Sequence, residues 1–445
     1  RMWKMKKVTI SRDTKIEILF LMSVFILYTM WAILIPFGEC PDEPFRYKIP
    51  DYIYQFGKLP KGDTPYVMDD AWGISYAFTP ILSYMVSAVF MKITSIFTTD
   101  LQAIQLAARM ASVFFSVGTA YFTIRIGKKL FRGIYSWMFI ILVTLLPQFI
   151  FISAYVNCDA LCIFSVAWII YAILEGNEKK WSFRSTIFLG VGIGICLLSY
   201  YNAYGVILMA AVFCVLSVLT DKEIEKKGIF LAKRIGWVVL AVLIVAGWWF
   251  IRSYIIYDGD ILGLTASRKC GELHAVEELK PHNRQTPSKM GYSLGYMLKE
   301  MGWIHYSVDG FIGRFGWFLV ALPAASYIIV KVLFVAGIAG NVFTKKIREI
   351  YEVKQKVLFH IALVGSIIIT VGISVYYSYF NDFQPQGRYC LPMWIPLAVF
   401  ITAGLSGIIR LFPEKARKPL VMAVCLMYFA IAMNATYQVI AVTYY

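Results

Sequence analysis

The chain has 445 residues, of which 59% are hydrophobic and only 16% charged, with a mean hydropathy of +0.65. A soluble domain of this size carries about a quarter charged residues, so the composition excludes a soluble globular enzyme and indicates a polytopic membrane protein. The net charge of +16 does not imply a nucleic-acid partner, because the basic residues recur between apolar runs, as membrane topology requires.

Arg1, Lys4, Lys6, Lys7, Arg12 and Lys15 precede the first apolar run, 16–35, and so predict a cytoplasmic N-terminus. That run is long enough to span and lacks a small-residue cleavage site, so it reads as a retained span and not as a signal peptide. It delivers the stretch Pro36-Phe37-Gly38-Glu39-Cys40-Pro41-Asp42-Glu43-Pro44-Phe45-Arg46 to the outside. Prolines on both sides of Asp42 and Glu43 disfavour a continued helix and stiffen the turn. A rigid acidic pair at the mouth of a membrane bundle points to proton or cation chemistry. The plain alternative is two solvated charges at a helix end.

A polar first external loop, 37–75, follows. The run 76–97 is assigned to a helix along the outer interface, because counting it as a span would put the basic loop Lys128, Lys129, Arg132 outside. Spans 101–126, 134–153, 160–173, 187–198, 206–219 and 235–251 then alternate, with Lys179, Lys180, Arg184, Lys222, Lys226, Lys227, Lys233 and Arg234 on the inner side. The long polar stretch 258–316 lies outside. Spans 317–339, 358–376, 391–409 and 420–442 return to Lys345, Lys346, Arg348, Lys354 and Lys356, and to Arg410, Lys415, Arg417 and Lys418. The predicted architecture is an all-α polytopic membrane protein of about eleven transmembrane helices plus external interfacial helices. It divides into a transmembrane module 1–254, a long external loop 255–316 and a C-terminal transmembrane module 317–445.

Cys162, Cys196, Cys214 and Cys425 lie inside apolar runs and read as small core residues. Cys40, Cys158, Cys270 and Cys390 fall in or beside loops on one side, and their spacing leaves any disulfide pairing open. His274, His282, His305 and His360 are scattered, with no Cys/His spacing for zinc, and no G-x-x-x-x-G-K-[ST] loop is present.

The topology puts Asp42, Glu43, Asn157, Asp159, Arg252, Asp258, Arg314, Gln386 and Arg388 at the outer ends of spans, with Arg109 inside an apolar segment near the same level. Charges this close to hydrocarbon are costly and are functional or paired. Carboxylates and guanidiniums on one face suit a site that handles a proton and an anion, since the planar guanidinium fork matches phosphate. Each residue also has a plain reading. Arg109 and Arg252 could snorkel to headgroups, Asp159 could cap a helix, Gly387 could serve a turn and Arg314 could be a solvated loop charge. Their agreement on one side outweighs these.

An Asp-Glu pair just after the first span resembles the catalytic signature of GT-C-type glycosyltransferases, among them the protein O-mannosyltransferases and the aminoarabinose transferases of lipid A. Leu106-Ala107-Ala108-Arg109-Met110-Ala111-Ser112 is similar to the arginine-bearing second span of those enzymes, and 126–133 to its basic inner end. Tyr155-Val156-Asn157-Cys158-Asp159-Ala160-Leu161 looks like their second acidic position. The segments 247–260, 311–317 and 386–392 look closer still to a poorly characterised bacterial branch of the superfamily. One departure is Phe78-Thr79-Pro80, where many relatives carry a basic residue and paired prolines.

The resemblance implies a GT-C-like fold, an interfacial helix at 76–97 and location in the bacterial cytoplasmic membrane, with the active site on the external face. It also implies transfer of a sugar from a polyprenyl-phosphate donor to an acceptor hydroxyl on a glycan, lipid or protein, with inversion, in cell-envelope glycan assembly. In that reading Asp42 is the general base and Glu43 orients it or the acceptor. Arg109, Arg252, Arg314 and Arg388 are candidates for the donor phosphate, with two or three of the four expected to touch it, and Asn157 and Gln386 are further substrate-binding candidates. Asp159 pairs with an arginine, or joins Asp42 around a divalent metal ion. The alternatives are a lipid-linked sugar flippase or transporter, a polysaccharide polymerase or ligase using the same donors, and a non-catalytic scaffold.

Overall fold

The computed structural model of the protein describes residues 11–346 and 355–444. Arg1, Lys4, Lys6, Lys7, Arg348 and Lys354 lie outside the described residues. Helix α1 (Arg12–Leu34) starts where the Ser11 hydroxyl accepts the Thr14 amide, and it ends just before Pro36. The predicted polar loop after it contains a helix, α2 (Glu43–Phe56). Pro44 falls in the first turn of α2, where a missing amide costs nothing, so the proline starts this helix instead of preventing it.

Helix α3 (Leu82–Thr94) is 13 residues long, about 20 Å at 1.5 Å per residue and too short to cross hydrocarbon. It packs along the first half of α4 (Leu101–Leu130), so the run predicted as an interfacial helix does not span. The bundle continues through α5 (Ile134–Thr144), α6 (Pro147–Ile152), α7 (Asp159–Glu178), α8 (Phe183–Leu197), α9 (Tyr204–Thr220), α10 (Lys227–Val242) and α11 (Trp248–Ile256). Helices α12 (Leu264–His274), α13 (Leu294–Lys299) and α14 (Trp303–Gly313) belong to the long inter-span segment. The strands β1 (Arg314–Phe315) and β2 (Val320–Ala321) pair antiparallel, and α15 (Ala324–Ala339), α16 (Lys356–Phe380), α17 (Trp394–Ile409) and α18 (Glu414–Tyr444) complete the chain.

Among the described residues, nine helices are long and apolar enough to cross a membrane. The shorter apolar helices α5 and α8 stand where two further crossings were predicted. One boundary moves. The predicted span 317–339 begins only at Ala324, because Gly316 and Phe318 adopt positive φ (58° and 66°) and fold 314–321 into a hairpin.

Ion pairs gather at both ends of the bundle. At the end where α1 starts, buried Glu17 accepts Arg125 and Lys128, and Lys129 bridges Glu175 and Glu178. At the other end lie Asp42 and the segments 37–75 and 258–316. Those segments are tied together where the Val276 amide bonds the Ala71 carbonyl at 3.0 Å and where the Arg284 guanidinium sits 4.9 Å from the centre of the Trp72 ring. They dock on the end of α16 through Trp303 Nε1 to Ser378 Oγ (2.9 Å) and Tyr379 Oη to the Tyr292 carbonyl (2.8 Å). All eight cysteines are free.

Candidate functional site

The site is built on a defect in α1. The Ala32 carbonyl would pair with the amide of residue 36, but that residue is proline and has none. Arg109 reaches across from α4 and fills the gap. Its Nη1 donates to the carbonyls of Ala32 (2.7 Å) and Ile35 (2.6 Å), and Nη2 to that of Pro36 (3.1 Å). The other edge of the same guanidinium grips Glu43, Nε to Oε1 at 2.8 Å and Nη2 to Oε2 at 2.6 Å. Glu43 is fully buried and also accepts the amides of Gly38 (3.2 Å) and Val156 (3.1 Å). A buried ion pair persists when its remaining donors and acceptors are satisfied, as they are here.

One expectation changes as a result. All five N–H groups of Arg109 are spent on the protein, so it has none for a donor phosphate. Of the two roles expected for Glu43, orienting Asp42 or the acceptor, this geometry serves the first. Both residues hold the acidic turn in place.

Asp42 points elsewhere. It is the residue before α2 and has a left-handed backbone, φ 64°, a conformation Asp tolerates better than most side chains and one that clusters at functional sites. The carboxylate is about a quarter exposed, with Oδ2 2.6 Å from Arg388 Nη2 and 3.6 Å from Arg46 Nη2. The Tyr76 hydroxyl also acts on it. Burial pushes the Asp42 carboxyl up, but the Arg388 and Arg46 charges outweigh burial and hold it below the usual carboxylate range.

Arg388 is carried by the 3₁₀ turn Gly387–Met393. Gly387 lies directly on the α14 backbone: a Cβ there would meet the Phe311 nitrogen at 1.9 Å and the Ser307 carbonyl at 2.2 Å. This contact sets the height of Arg388 over Asp42. The guanidinium is steered further by Gln386 Oε1, which accepts Nε at 2.8 Å, and by the Tyr155 (3.4 Å) and Tyr389 (3.2 Å) hydroxyls. Tyr389 in turn donates to Gln384 Oε1 (2.5 Å), whose amide donates to Asp382 (2.5 Å). A single chain of polar contacts thus runs from Asp42 to Asp382.

Asn157 has a local role. Its Oδ1 accepts the Ala160 amide at 2.9 Å and caps α7, while its Nδ2 bonds the carbonyls of Ile152 (2.7 Å) and Tyr155 (2.8 Å). Asp159 is the first residue of α7 and is buried, with Oδ2 unpartnered among the described residues. It lies within electrostatic reach of Arg388 and Tyr155.

Arg252 and Arg314 are not joined to these acids by any hydrogen bond or ion pair among the described residues. Arg252 donates to the Pro60 carbonyl (2.8 Å) and lies over Trp249, tying the segment after α2 to α11. Arg314 stacks on Tyr306, and its backbone amide bonds Gln148. Four residues near Asp42 were not anticipated: Arg46, Tyr76, Tyr84 and Tyr389. Arg46 carried a signal, since a helix starting at Glu43 puts residue 46 one turn from Asp42. Among the described residues no group of three or more His, Cys, Asp or Glu side chains converges on a metal site. With Asp42 facing two guanidiniums, the residues present do not fit a divalent cation.

The chain is similar in structure to ArnT from Cupriavidus metallidurans bound to undecaprenyl phosphate, with a TM-score of 0.53 at 13% identity, covering 97% of this chain and 76% of that one. It is also similar to the archaeal oligosaccharyltransferase AglB from Archaeoglobus fulgidus, in complex with an inhibitory peptide and a dolichol-phosphate, with a TM-score of 0.51 at 12% identity. That match covers 97% of this chain and 56% of AglB, so the chain spans little more than half of AglB. The expected GT-C fold is therefore present. No curated protein matches the chain by sequence. The family described as "Predicted membrane protein (DUF2142)" matches residues 61–398, and the chain belongs to it.

Proposed function

We propose that the chain is an integral-membrane glycosyltransferase that moves a sugar from a polyprenyl-phosphate donor to an acceptor hydroxyl at the outer face of the membrane, in cell-envelope glycan assembly. The observation that carries this reading is the pairing of a partly exposed carboxylate, Asp42, with a buried guanidinium, Arg388, at the rim of a GT-C bundle. The relatives seen with undecaprenyl phosphate and dolichol-phosphate support a lipid-phosphate donor. The basic cluster Arg125, Lys128, Lys129, Lys179 and Lys180 lies at the end opposite Asp42. By the positive-inside rule this supports a cytoplasmic N-terminus and an external site.

The acceptor oxygen attacks the anomeric carbon as its proton passes to Asp42, and the bond from that carbon to the phosphate oxygen breaks. The sugar leaves with inverted configuration through an oxocarbenium-like transition state. The charge that grows on the departing polyprenyl phosphate falls to Arg388, which has an N–H on Nη1 beyond its four bonds. At rest Arg388 holds Asp42 as a weak base. A donor phosphate competes for the same guanidinium, and its arrival restores the basicity of Asp42.

The test uses purified protein in detergent, a panel of undecaprenyl-phosphate sugars and crude envelope acceptors, with release of undecaprenyl phosphate as the readout. Asp42→Asn keeps a side chain that tolerates the left-handed backbone and is expected to lower release by about 100- to 10,000-fold with lipid binding intact. Unchanged release would remove Asp42 as the base. Binding by wild type without release from any acceptor would favour a flippase.

A further inference from the structure

Two buried polar groups have no part in that mechanism. Arg46 is 2% exposed and Asp159 4%. Among the described residues, Arg46 Nε and Asp159 Oδ2 have no hydrogen-bond partner. The rest of the Arg46 guanidinium is engaged. Nη1 donates to Tyr84 Oη (3.1 Å) and Cys158 Sγ (3.0 Å), Nη2 faces Asp42 at 3.6 Å, and the cation lies 4.3 Å from the centre of the Tyr76 ring.

The two unpaired groups are neighbours. The thiol that Arg46 bonds belongs to the residue preceding Asp159, and the Arg46 and Asp159 charges both act on the hydroxyls of Tyr155 and Tyr200. Buried polar atoms are paired in the great majority of cases, so an unpaired donor and an unpaired acceptor flanking the Arg46–Cys158 contact mark a missing group. Their chemistry restricts what it is. A phosphate would satisfy the Arg46 N–H but be repelled by Asp159, and a cation would do the reverse. A hydroxyl accepts from the first and donates to the second.

We infer that Arg46 and Asp159, with Tyr155 and Tyr200 near both, form a hydroxyl-reading subsite that holds the transferred sugar beside Asp42. This inference rests on the donor reading proposed above. It separates the two ends of the donor: Arg388 takes the phosphate, and the Arg46–Asp159 pair takes the sugar.

The experiment measures equilibrium binding, without acceptor, of undecaprenyl phosphate and of its mannosyl, glucosyl and arabinosyl derivatives. Wild type is expected to hold at least one sugar-bearing lipid more tightly than the bare lipid. Asp159→Asn is expected to weaken that binding by about 10- to 100-fold, the scale of one charge-assisted hydrogen bond, with bare-lipid binding within about twofold of wild type. Asp159→Ser, which leaves no buried carboxylate, serves if the first variant does not fold. Equal losses on both kinds of lipid, or no loss on either, would leave a structural water as the missing group and overturn the subsite. A wild type with no preference for any sugar-bearing lipid would also overturn it. If wild type fails to bind undecaprenyl phosphate at all, the donor reading itself is refuted.

Discussion

The Glu43–Arg109 pair gives the sharpest test of how the acidic turn is held. Glu43→Gln preserves shape but leaves the Arg109 charge buried without a counter-ion, at a cost of about 3–5 kcal/mol. Arg109→Met leaves the Glu43 charge buried and also frees the carbonyls of Ala32, Ile35 and Pro36, at about 1–3 kcal/mol each. It is therefore the more damaging single change. In the double variant both charges are gone and mainly the three carbonyls are left unpaired. The double variant is expected to cost less than the sum of the singles by about 3–5 kcal/mol. Equilibrium unfolding in mixed micelles, followed by far-ultraviolet circular dichroism, measures all three. Additivity to within about 0.5 kcal/mol would refute the reasoning, because independent sites add to that accuracy.

Gly387→Ala would set a Cβ 1.9 Å from the Phe311 nitrogen, displacing Arg388 from Asp42. It is expected to lower kcat/KM by about 100-fold, the effect of a misplacement near 1 Å, and wild-type rates in the purified variant would dissolve the link between α14 and Arg388. Arg388→Gln removes the stronger of the two charges that hold the Asp42 carboxyl down against burial, so the acidic limb of the kcat/KM profile is expected to move to higher pH. Stability should follow the same sign. A carboxyl lowered in the folded state stabilises the protein above its unfolded-state value and loses that contribution as pH falls through the lowered one, so raising the folded-state value in Arg388→Gln shrinks the contribution. An unmoved limb would show that Arg388 does not set the ionisation of Asp42.

The spans were legible because lipid demands runs of apolar residues whatever their packing. The hairpin at 314–321 was hidden because Trp317, Phe318, Leu319 and Val320 are as apolar as a helix would be, and only the backbone angles at Gly316 and Phe318 tell the two apart. Sequence also gave the level of each charge along the bundle but not its position around it. Arg252 and Arg314 share the level of Asp42, yet one is bonded to the Pro60 backbone and the other stacked on Tyr306. The role of Arg109 had a readable trace in Pro36, four residues after a carbonyl that needs a donor. Arg46 is hidden by the prolines around Asp42, which suggest a helix break, although Pro44 falls where a helix accepts one.

Because one guanidinium joins α1, α4, the acidic turn and, through Glu43, the Val156 backbone, parting any of these seams would strand a buried charge. The facing wall is fastened more lightly. Arg388 crosses to Asp42 Oδ2 through one bond, and residues 381–386 before it are exposed or half-buried.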